Sequence, residues 1–241
     1  MQTKNPLIVI VMKKNIIIGI IAVSSLLTSC SVTRYISADL QAAQPDSIPV
    51  LEPYTSVFQL NVLNEEEFSD SLTDVAHNQL LDILETPGAL PTGSVLYMQD
   101  ADFYQEIGAD VARLFDICYG NRKKNIEQQP LPESLREFMH DNNLPYVAFL
   151  FQDGFTHTGG DYALQVGMSV LEAVLTTVLT MGMVTTYTIP YKDALTYRLL
   201  IADLEANRVA YFNRVSGERS PVSHSANYYM LERAFSRYPR R

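Results

Sequence analysis

Hydrophobic and polar residues alternate along several short stretches of the chain, which is the spacing of half-buried β-strands. Ser56–Leu63 ("SVFQLNVL") and Ser94–Met98 ("SVLYM") are rich in β-branched and aromatic residues, so each predicts a strand. Tyr146–Phe151 ("YVAFLF") is apolar throughout and is bounded by turn-forming residues. A short apolar run of this kind predicts a strand buried on both faces of a sheet.

A β-hairpin is predicted towards the carboxyl end of the chain. One face of its first strand is apolar and consists of Leu195, Tyr197, Leu199 and Ile201. The return strand is Arg208–Asn213. Asn207 stands in the turn, where asparagine tolerates the left-handed backbone conformation that a tight turn requires.

Apolar residues at a spacing of three and four predict the helices. Asn64 and the three glutamates after it suit the start of a first helix, and Pro87-Gly88 ends it. Its apolar stripe is Phe68, Leu72, Val75, Ala76, Leu80, Ile83 and Leu84. Asp100 is expected to cap a second helix with the stripe Phe103, Ile107, Val111, Leu114, Phe115 and Cys118.

Two further helices are predicted beyond a polar connection at Asn121–Gln129. Leu131–His140 forms a short helix with Pro132 in its first turn, and Ser225–Tyr238 forms the last helix. Strands and helices therefore alternate, which predicts an α/β fold: a single mixed sheet with helices packed on it and a carboxyl-terminal β-hairpin and helix. We expect this single domain to span residues 54–239.

A leader precedes the domain. Residues 12–29 contain a basic start, Met12-Lys13-Lys14, and then the uncharged segment Ile16–Leu27. This segment is too short to cross a bilayer, which needs about 20 residues, so it predicts a secretory signal peptide. Residues 1–11 suit neither a signal peptide nor an anchor, and we expect translation to start at Met12.

The leader ends in Leu27-Thr28-Ser29-Cys30. This motif resembles the bacterial lipobox, Leu-(Ala/Ser/Thr)-(Gly/Ala/Ser)-Cys. The resemblance is to bacterial lipoproteins as a class and covers only the leader. It implies that Cys30 carries a lipid, becomes the new amino terminus and attaches the protein to the membrane. The alternative is an ordinary signal peptide with a chance cysteine.

Residues 30–53 predict a flexible tether, because they are polar, contain Pro45, Pro49 and Pro53 and show no sustained period. No acidic residue follows Cys30 until Asp39. Surface-exported lipoproteins of some bacteria carry acids just after the cysteine, so this difference favours the periplasmic side. We expect an outer-membrane lipoprotein, although this feature does not distinguish the inner from the outer membrane.

The mature chain is acidic. Removal of the three leader lysines from 18 basic residues leaves 15 against 27 acidic residues, a net charge of −12. Such a protein is repelled by nucleic acid and by anionic head groups, so a nucleic-acid partner is not expected. Cys118 is the one thiol left beside Cys30, and its place on an apolar stripe predicts a small buried hydrophobe rather than a redox group.

The buried strand "LPYVAFLF" and the hairpin "LLIADLEANRVAYF" carry a second resemblance. They are similar to the periplasmic α/β domain shared by the curli-secretion lipoprotein CsgG and the amino-terminal domain of TolB, over Ser56–Asn213. Asn207 replaces the turn glycine of that type, and Tyr211-Phe212 replaces its tryptophan. The resemblance implies a fold used in envelope assembly and protein binding, and it implies no catalytic residue.

Leu164–Pro190 is the most apolar part of the mature chain, and residues 173–190 carry no charge. A helix over Val166–Met183 would have a narrow polar stripe beside a wide apolar surface. That surface is a possible interface made of Val170, Leu171, Val174, Leu175, Val178 and Leu179. It could bury against the domain's own sheet, form an oligomer interface or insert into the membrane; a single membrane-crossing helix is the fourth alternative.

Motifs of enzyme chemistry are absent from the sequence: there is no G-x-S-x-G, H-E-x-x-H, glycine-rich phosphate loop or C-x-x-C. No cofactor or metal is therefore predicted. "DGFTHTGGD" gathers three weak candidates for a ligand site in a glycine-rich loop, residues 153–161: Asp153, His157 and Asp161. The plain alternative is a turn that leads into the next helix.

Two hypotheses of function follow. In the first, the protein is a lipid-anchored, non-catalytic envelope component that binds a protein partner or assembles as a homo-oligomer. In the second, it is an envelope hydrolase or a small-ligand-binding lipoprotein that uses the loop at 153–161.

Overall fold

A computed structural model describes residues 34–61, 63, 65–120, 123–164, 166, 168, 191–236 and 238, with the side chains of 120, 123 and 124 excepted. The leader, Cys30 and the predicted interface at 170–179 lie outside the described residues. The predicted fold class is confirmed, because one mixed eight-stranded sheet carries helices on both faces.

The strands are β1 (Arg34–Ile36), β2 (Ile48–Leu51), β3 (Tyr54–Leu60), β4 (Glu66–Phe68), β5 (Thr92–Leu96), β6 (Tyr146–His157), β7 (Asp193–Asp203) and β8 (Arg208–Gly217). The described helices are α1 (Ala38–Ala43), α2 (Asp70–Glu85), α3 (Ala101–Gly120), α4 (Lys123–Glu127), α5 (Glu133–Asp141) and α6 (His224–Ala234).

The long strand β6 is the centre of the sheet. On one side β7, β8 and β1 follow in order, and each runs antiparallel to its neighbour. On the other side β2 and then β3 lie parallel to successive parts of β6. Outside these two, β5 pairs in parallel with β2, and β4 pairs with β3 as an antiparallel hairpin.

Side chains alternate along β6 between two hydrophobic cores. Ala148 and Leu150 enter the core that is covered by α1, α2 and α6. Val147, Phe149 and Phe151 enter the core under α3, α4 and α5. The sheet therefore buries both faces of β6, as its uninterrupted apolar sequence predicts.

The two ends of the sheet are the carboxyl end and the amino end of β6. At the carboxyl end of β6, strand β6 stops at His157, β3 stops at Leu60 and β7 begins at Asp193. At the amino end of β6 lie Tyr146 and the turn between β7 and β8. In that turn Asn207 has a φ of 48°, so the predicted left-handed conformation is confirmed.

The predicted tether is wrong from Arg34 onwards. Strands β1 and β2 and helix α1 all belong to the domain, and Tyr35, Leu40, Val50 and Leu51 are buried. Their hydrophobic partners lie far along the chain, since β1 pairs with β8. Three short elements of this kind produce no periodic signal of their own.

Two other predicted boundaries are corrected. Glu65–Glu67 do not start a helix; Glu66–Phe68 form β4, and Ser69 caps α2 through its side chain. Within the predicted exposed connection, α4 forms and buries Ile126 completely. Asp100 does cap α3, since its carboxylate accepts hydrogen bonds from the backbone N–H groups of Asp102 and Phe103.

Candidate functional site

The predicted loop at 153–161 is for the most part a strand. Strand β6 continues through Asp153–His157, and only Thr158 separates it from the helical turn that begins at residue 159. The glycine-rich composition was misleading, because Gly154 lies inside the sheet. A Cβ atom there would come within 2.7 Å of the Pro221 side chain, so the close approach of the 218–223 loop requires glycine.

Asp153 lies on the α3 side of the sheet, in a row that crosses neighbouring strands. Its Oδ2 atom accepts hydrogen bonds from Nε and Nη2 of Arg198 on β7, at 3.1 and 2.8 Å. Its Oδ1 atom accepts one from the hydroxyl of Ser56 on β3, at 3.0 Å. Both carboxylate oxygens are therefore occupied by protein donors.

The Arg198 guanidinium also lies over two aromatic rings. Its Cζ atom is 5.1 Å from the centroid of Phe151 and 5.5 Å from that of Phe115. These cation–π contacts and the ion pair with Asp153 hold the arginine in one place although its side chain is 25% exposed. Arg198 is thus a fixed cation at the floor of a cleft.

This arginine cleft has a volume of about 180 Å³ between the end of α3 and the open part of the sheet. It is lined by Phe115, Asp116, Tyr119, Asp153, Thr196, Arg198, Phe212 and Arg214. Arg214 is exposed at its rim and stacks on Tyr119, with Cζ 4.6 Å from the ring centroid. Within the described part of the chain Arg214 contacts no carboxylate, so its guanidinium can receive an anionic group from outside.

A stack of aromatic rings supports the cleft. Tyr54 lies between Tyr104 and Phe151, with centroid distances of 4.3 and 4.6 Å. The Tyr54 ring occupies the space beside Gly108, where a Cβ atom would come within 2.6 Å of it. The Tyr54 hydroxyl donates a hydrogen bond to the Tyr104 carbonyl at 2.6 Å. Rigid packing of this kind fixes the position of Phe151 and therefore of Arg198.

His157 does not join Asp153 in a site. It is 4% exposed, and its ring packs against Phe155 and Tyr162 at centroid distances of 6.1 and 6.2 Å. Its Nδ1 atom has no hydrogen-bond partner among the described residues. Asp161 instead accepts a hydrogen bond from the Thr158 hydroxyl at 2.5 Å and so belongs to the helix start. The structure thus places the three predicted candidates near one end of the sheet and gives each a separate environment.

The other histidines form separate surface pairs. His77 Nε2 lies 3.5 Å from Oε1 of Glu52, His140 Nδ1 3.4 Å from Oδ1 of Asp141, and His224 Nε2 3.1 Å from Oδ2 of Asp82. Nowhere in the described ranges do three His, Cys, Asp or Glu side chains come together in a geometry that could hold a metal ion.

Cys118 is a buried free thiol on α3, as predicted. Burial raises the pKa of the Cys118 thiol to about 12. Since the thiolate is the reactive form, this side chain is inert at neutral pH and acts as a small hydrophobe.

The opposite face of the sheet holds a buried polar network centred on Asn227 of α6. Asn227 Oδ1 accepts hydrogen bonds from Gln152 Nε2 at 3.1 Å and from the Tyr197 hydroxyl at 3.0 Å. Its Nδ2 donates to Gln79 Oε1 at 3.1 Å and to the Pro221 carbonyl at 2.9 Å. The network ties α2, α6 and the 218–223 loop to the sheet.

Sequence reasoning missed Arg198, Arg214 and Tyr119. A signal for Arg198 was present: it is a charged residue on the α3-side face of β7, directly before the buried positions Leu200 and Ala202 of the same face. A buried strand position occupied by a charge predicts a partner on a neighbouring strand. The identity of that partner depends on register, which the sequence does not reveal.

Comparisons with known proteins do not assign this chain to a family. No protein family and no curated protein matches the chain. Among solved structures, the PelC dodecamer of Paraburkholderia phytofirmans matches at a TM-score of 0.36 and 9% identity, covering 86% of this chain and 96% of that one. A variant of the same dodecamer matches at 0.35 and 8%, covering 82% and 91%. Likenesses of this size carry no functional argument.

Among the described helices, none combines the length and the apolar character that a membrane crossing requires.

Proposed function

We propose that this protein is a lipid-anchored component of the bacterial cell envelope, an outer-membrane lipoprotein that faces the periplasm and binds other proteins without catalysing a reaction. The observation that supports the anchor is Leu27-Thr28-Ser29-Cys30 behind an uncharged segment. The first described strand, β1, begins at Arg34. A lipid on Cys30 would therefore hold the domain directly at the membrane.

The arginine cleft supports binding over hydrolysis. Hydrolysis needs a nucleophile or base that is free to exchange protons, whereas Asp153 is engaged by Arg198 and Ser56. Arg214 and Tyr119 instead offer an exposed cation and a 40% exposed ring, the residue types enriched where proteins recognise one another. We propose that a carboxylate of a partner protein pairs with Arg214.

The anchor is tested by metabolic labelling with a fatty-acid analogue. The wild-type protein should be labelled and recovered with the outer membrane, whereas Cys30→Ser should be unlabelled and recovered in the periplasm. A matched control is Cys118→Ser, which removes the buried thiol and leaves the lipobox intact. Equal labelling of wild type and Cys30→Ser contradicts the proposal.

The binding role is tested by cross-linking in intact envelopes, followed by purification of the lipoprotein. Arg214→Glu should reduce the yield of the cross-linked partner about tenfold, because it places a like charge against the partner's carboxylate. Arg136→Glu is the matched control, since it makes the same charge change at an exposed position on α5. An equal yield from Arg214→Glu and Arg136→Glu contradicts a role for the cleft.

A further inference from the structure

The position of β1 restricts where a lipid on Cys30 can lie. Arg34 pairs with Asn213 of β8 in an antiparallel register, so the amino-terminal end of β1 faces the Gly217 end of β8, on the side of the carboxyl end of β6. Cys30 is four residues from Arg34, a distance of at most about 14 Å. The stretch of β8 from Asn213 to Gly217 is about 13 Å long by the usual rise of a strand.

The tip of the sheet extends farther than the anchor can reach. Gly217 is level with Leu195 and Gly154 in the register of β7 and β6. Strand β6 continues for three more residues to His157, about 10 Å at the usual rise of a strand. Strand β3 ends at the same level as β6, because Leu60 pairs with His157. A bilayer that holds Cys30 on this side therefore meets the tip of β3 and β6 first.

Exposed apolar side chains occur in the three chain segments that adjoin this end of the sheet, after β3, after β6 and before β7. Leu63, in the turn after β3, is 73% exposed, and Tyr191, just before β7, is 58% exposed. Leu164 and Met168, which follow the helical turn after β6, are 56% and 44% exposed. Side chains that lie singly on a surface need no explanation, whereas four exposed apolar side chains in the segments that adjoin one end of a sheet suggest an interaction site.

Cavities lined by carboxylates lie at the opposite end of the domain. A cavity of about 640 Å³ at the amino end of β6 is lined by Asp39, Asp203 and Glu205. A second cavity of about 360 Å³ includes Glu133, Glu137 and Asp141 in its lining. Carboxylates are repelled by anionic head groups and keep their own hydration.

We propose that the apolar tip formed by Leu63, Leu164, Met168 and Tyr191 lies in the head-group region of the lipid bilayer, so that the domain stands on the membrane with the carboxyl end of β6 downwards. This orientation rests on the proposed lipid anchor at Cys30. Exposed Glu65 and Glu66 stand beside Leu63, so the tip favours zwitterionic lipid over anionic lipid. The acidic end then faces the periplasm.

The chain contains no tryptophan, which allows a direct test. Single substitutions Leu63→Trp and Tyr191→Trp are made in the complete lipoprotein, together with the control Ala42→Trp at the exposed acidic end. Each protein is reconstituted into vesicles of phosphatidylethanolamine and brominated phosphatidylcholine. Both tip tryptophans should be quenched about twofold or more relative to unbrominated vesicles, because interfacial side chains contact the acyl boundary. Ala42→Trp should be unaffected.

Two results overturn the orientation while leaving the anchor intact. The first is a protein that carries lipid by mass spectrometry but shows no quenching of Leu63→Trp, or equal quenching of Ala42→Trp. The second is a blue-shifted but unquenched tip tryptophan, which means that protein, and not lipid, covers the tip. Absence of lipid from Cys30 in the mass spectrum overturns the anchor and the orientation together.

Discussion

Single buried polar residues carry much of the specificity of this domain, and Asn227 is the main example. It is 0% exposed and satisfies donors and acceptors on four other parts of the chain. A side chain with this many partners fixes how α6 sits on the sheet. A larger apolar residue would fill the space but would leave the hydroxyl of Tyr197 without its acceptor and the amide of Gln152 with the Pro221 carbonyl alone.

We expect Asn227→Ala to lower the free energy of unfolding by about 2–4 kcal/mol, because the buried hydrogen bonds from Tyr197 and Gln152 to Asn227 are lost and the Tyr197 hydroxyl is left without an acceptor. Urea unfolding of the purified protein, followed by circular dichroism, measures the change. The neighbour Tyr228 is 39% exposed on the same helix, so Tyr228→Ala is the matched control and should cost much less. Equal losses for Asn227→Ala and Tyr228→Ala would show that the network contributes little.

Arg198 differs from Asn227 because it is a charged side chain at the floor of a cleft. Its charge is matched by Asp153, and its planar group is supported by Phe115 and Phe151. The result is a cation that is held in place and is already neutralised. Arg214, one strand away and paired with Arg198 in the β7–β8 register, contacts the Tyr119 ring and no carboxylate of the described residues. The contrast between these two arginines is why the binding proposal depends on Arg214.

At the scale of elements, long periodic segments were predicted well from the sequence. The stripe of α3 is a clear case, because Ile107, Val111, Leu114 and Phe115 are all buried. The hairpin of β7 and β8 is another, since its alternation and its turn residue Asn207 are both observed. In these segments one local period determines which face is buried, so no distant information is required.

Short elements were missed because their stability comes from distant partners. Strand β1 has three residues and α1 has six, so neither carries a measurable period. Strand β4 was mistaken for a helix start, since three glutamates after an asparagine suit a helix as well as a hairpin edge. The first half of the 34–53 region also contains helix-capping polar residues. Ser37, for example, accepts a hydrogen bond from the Leu40 N–H. In the sequence alone, such residues are typical of loops as well.

The candidate site was predicted only in part for the same reason. Asp153 was singled out and does line the arginine cleft, but as the partner of Arg198 and not as a free carboxylate. The cleft is formed by α3, β6, β7 and β8, which are far apart along the chain. Strand register alone brings Asp153, Arg198 and Arg214 together, and a one-residue shift would place them on opposite faces.

At the scale of the whole molecule, the unequal ends of the sheet give the domain a direction. Leu63 and Tyr191 are exposed next to the carboxyl end of β6, and several carboxylates line the cavities at the amino end. The arginine cleft lies on the side of the sheet, under the end of α3. If the carboxyl end of β6 contacts the membrane, the cleft opens parallel to the membrane surface. A neighbouring envelope protein or a second copy of the chain could contact it there.

Tyrosines spread over the whole molecule predict how its stability depends on pH. Burial is the main cause that raises the pKa of Tyr35 and of Tyr238 to about 12, and a hydrogen bond to Glu85 is the main cause for Tyr97, also to about 12. Burial also raises the pKa values of Tyr54, Tyr104 and Tyr197. In the unfolded chain these phenols titrate near their ordinary pKa of about 10.

The folded state favours the protonated phenols, so the stability of the fold decreases as the pH rises. The unfolded chain releases phenol protons first as the pH rises, so stability is complete below about pH 10 and falls between about pH 10 and pH 12. Urea midpoints measured across this range should decrease steeply, and phenolate absorbance should rise together with loss of the folded circular dichroism signal. Because these tyrosines, except the exposed Tyr97, lie in the two cores, their ionisation should accompany global unfolding. Titration of every tyrosine near pH 10 with the fold retained would contradict this account.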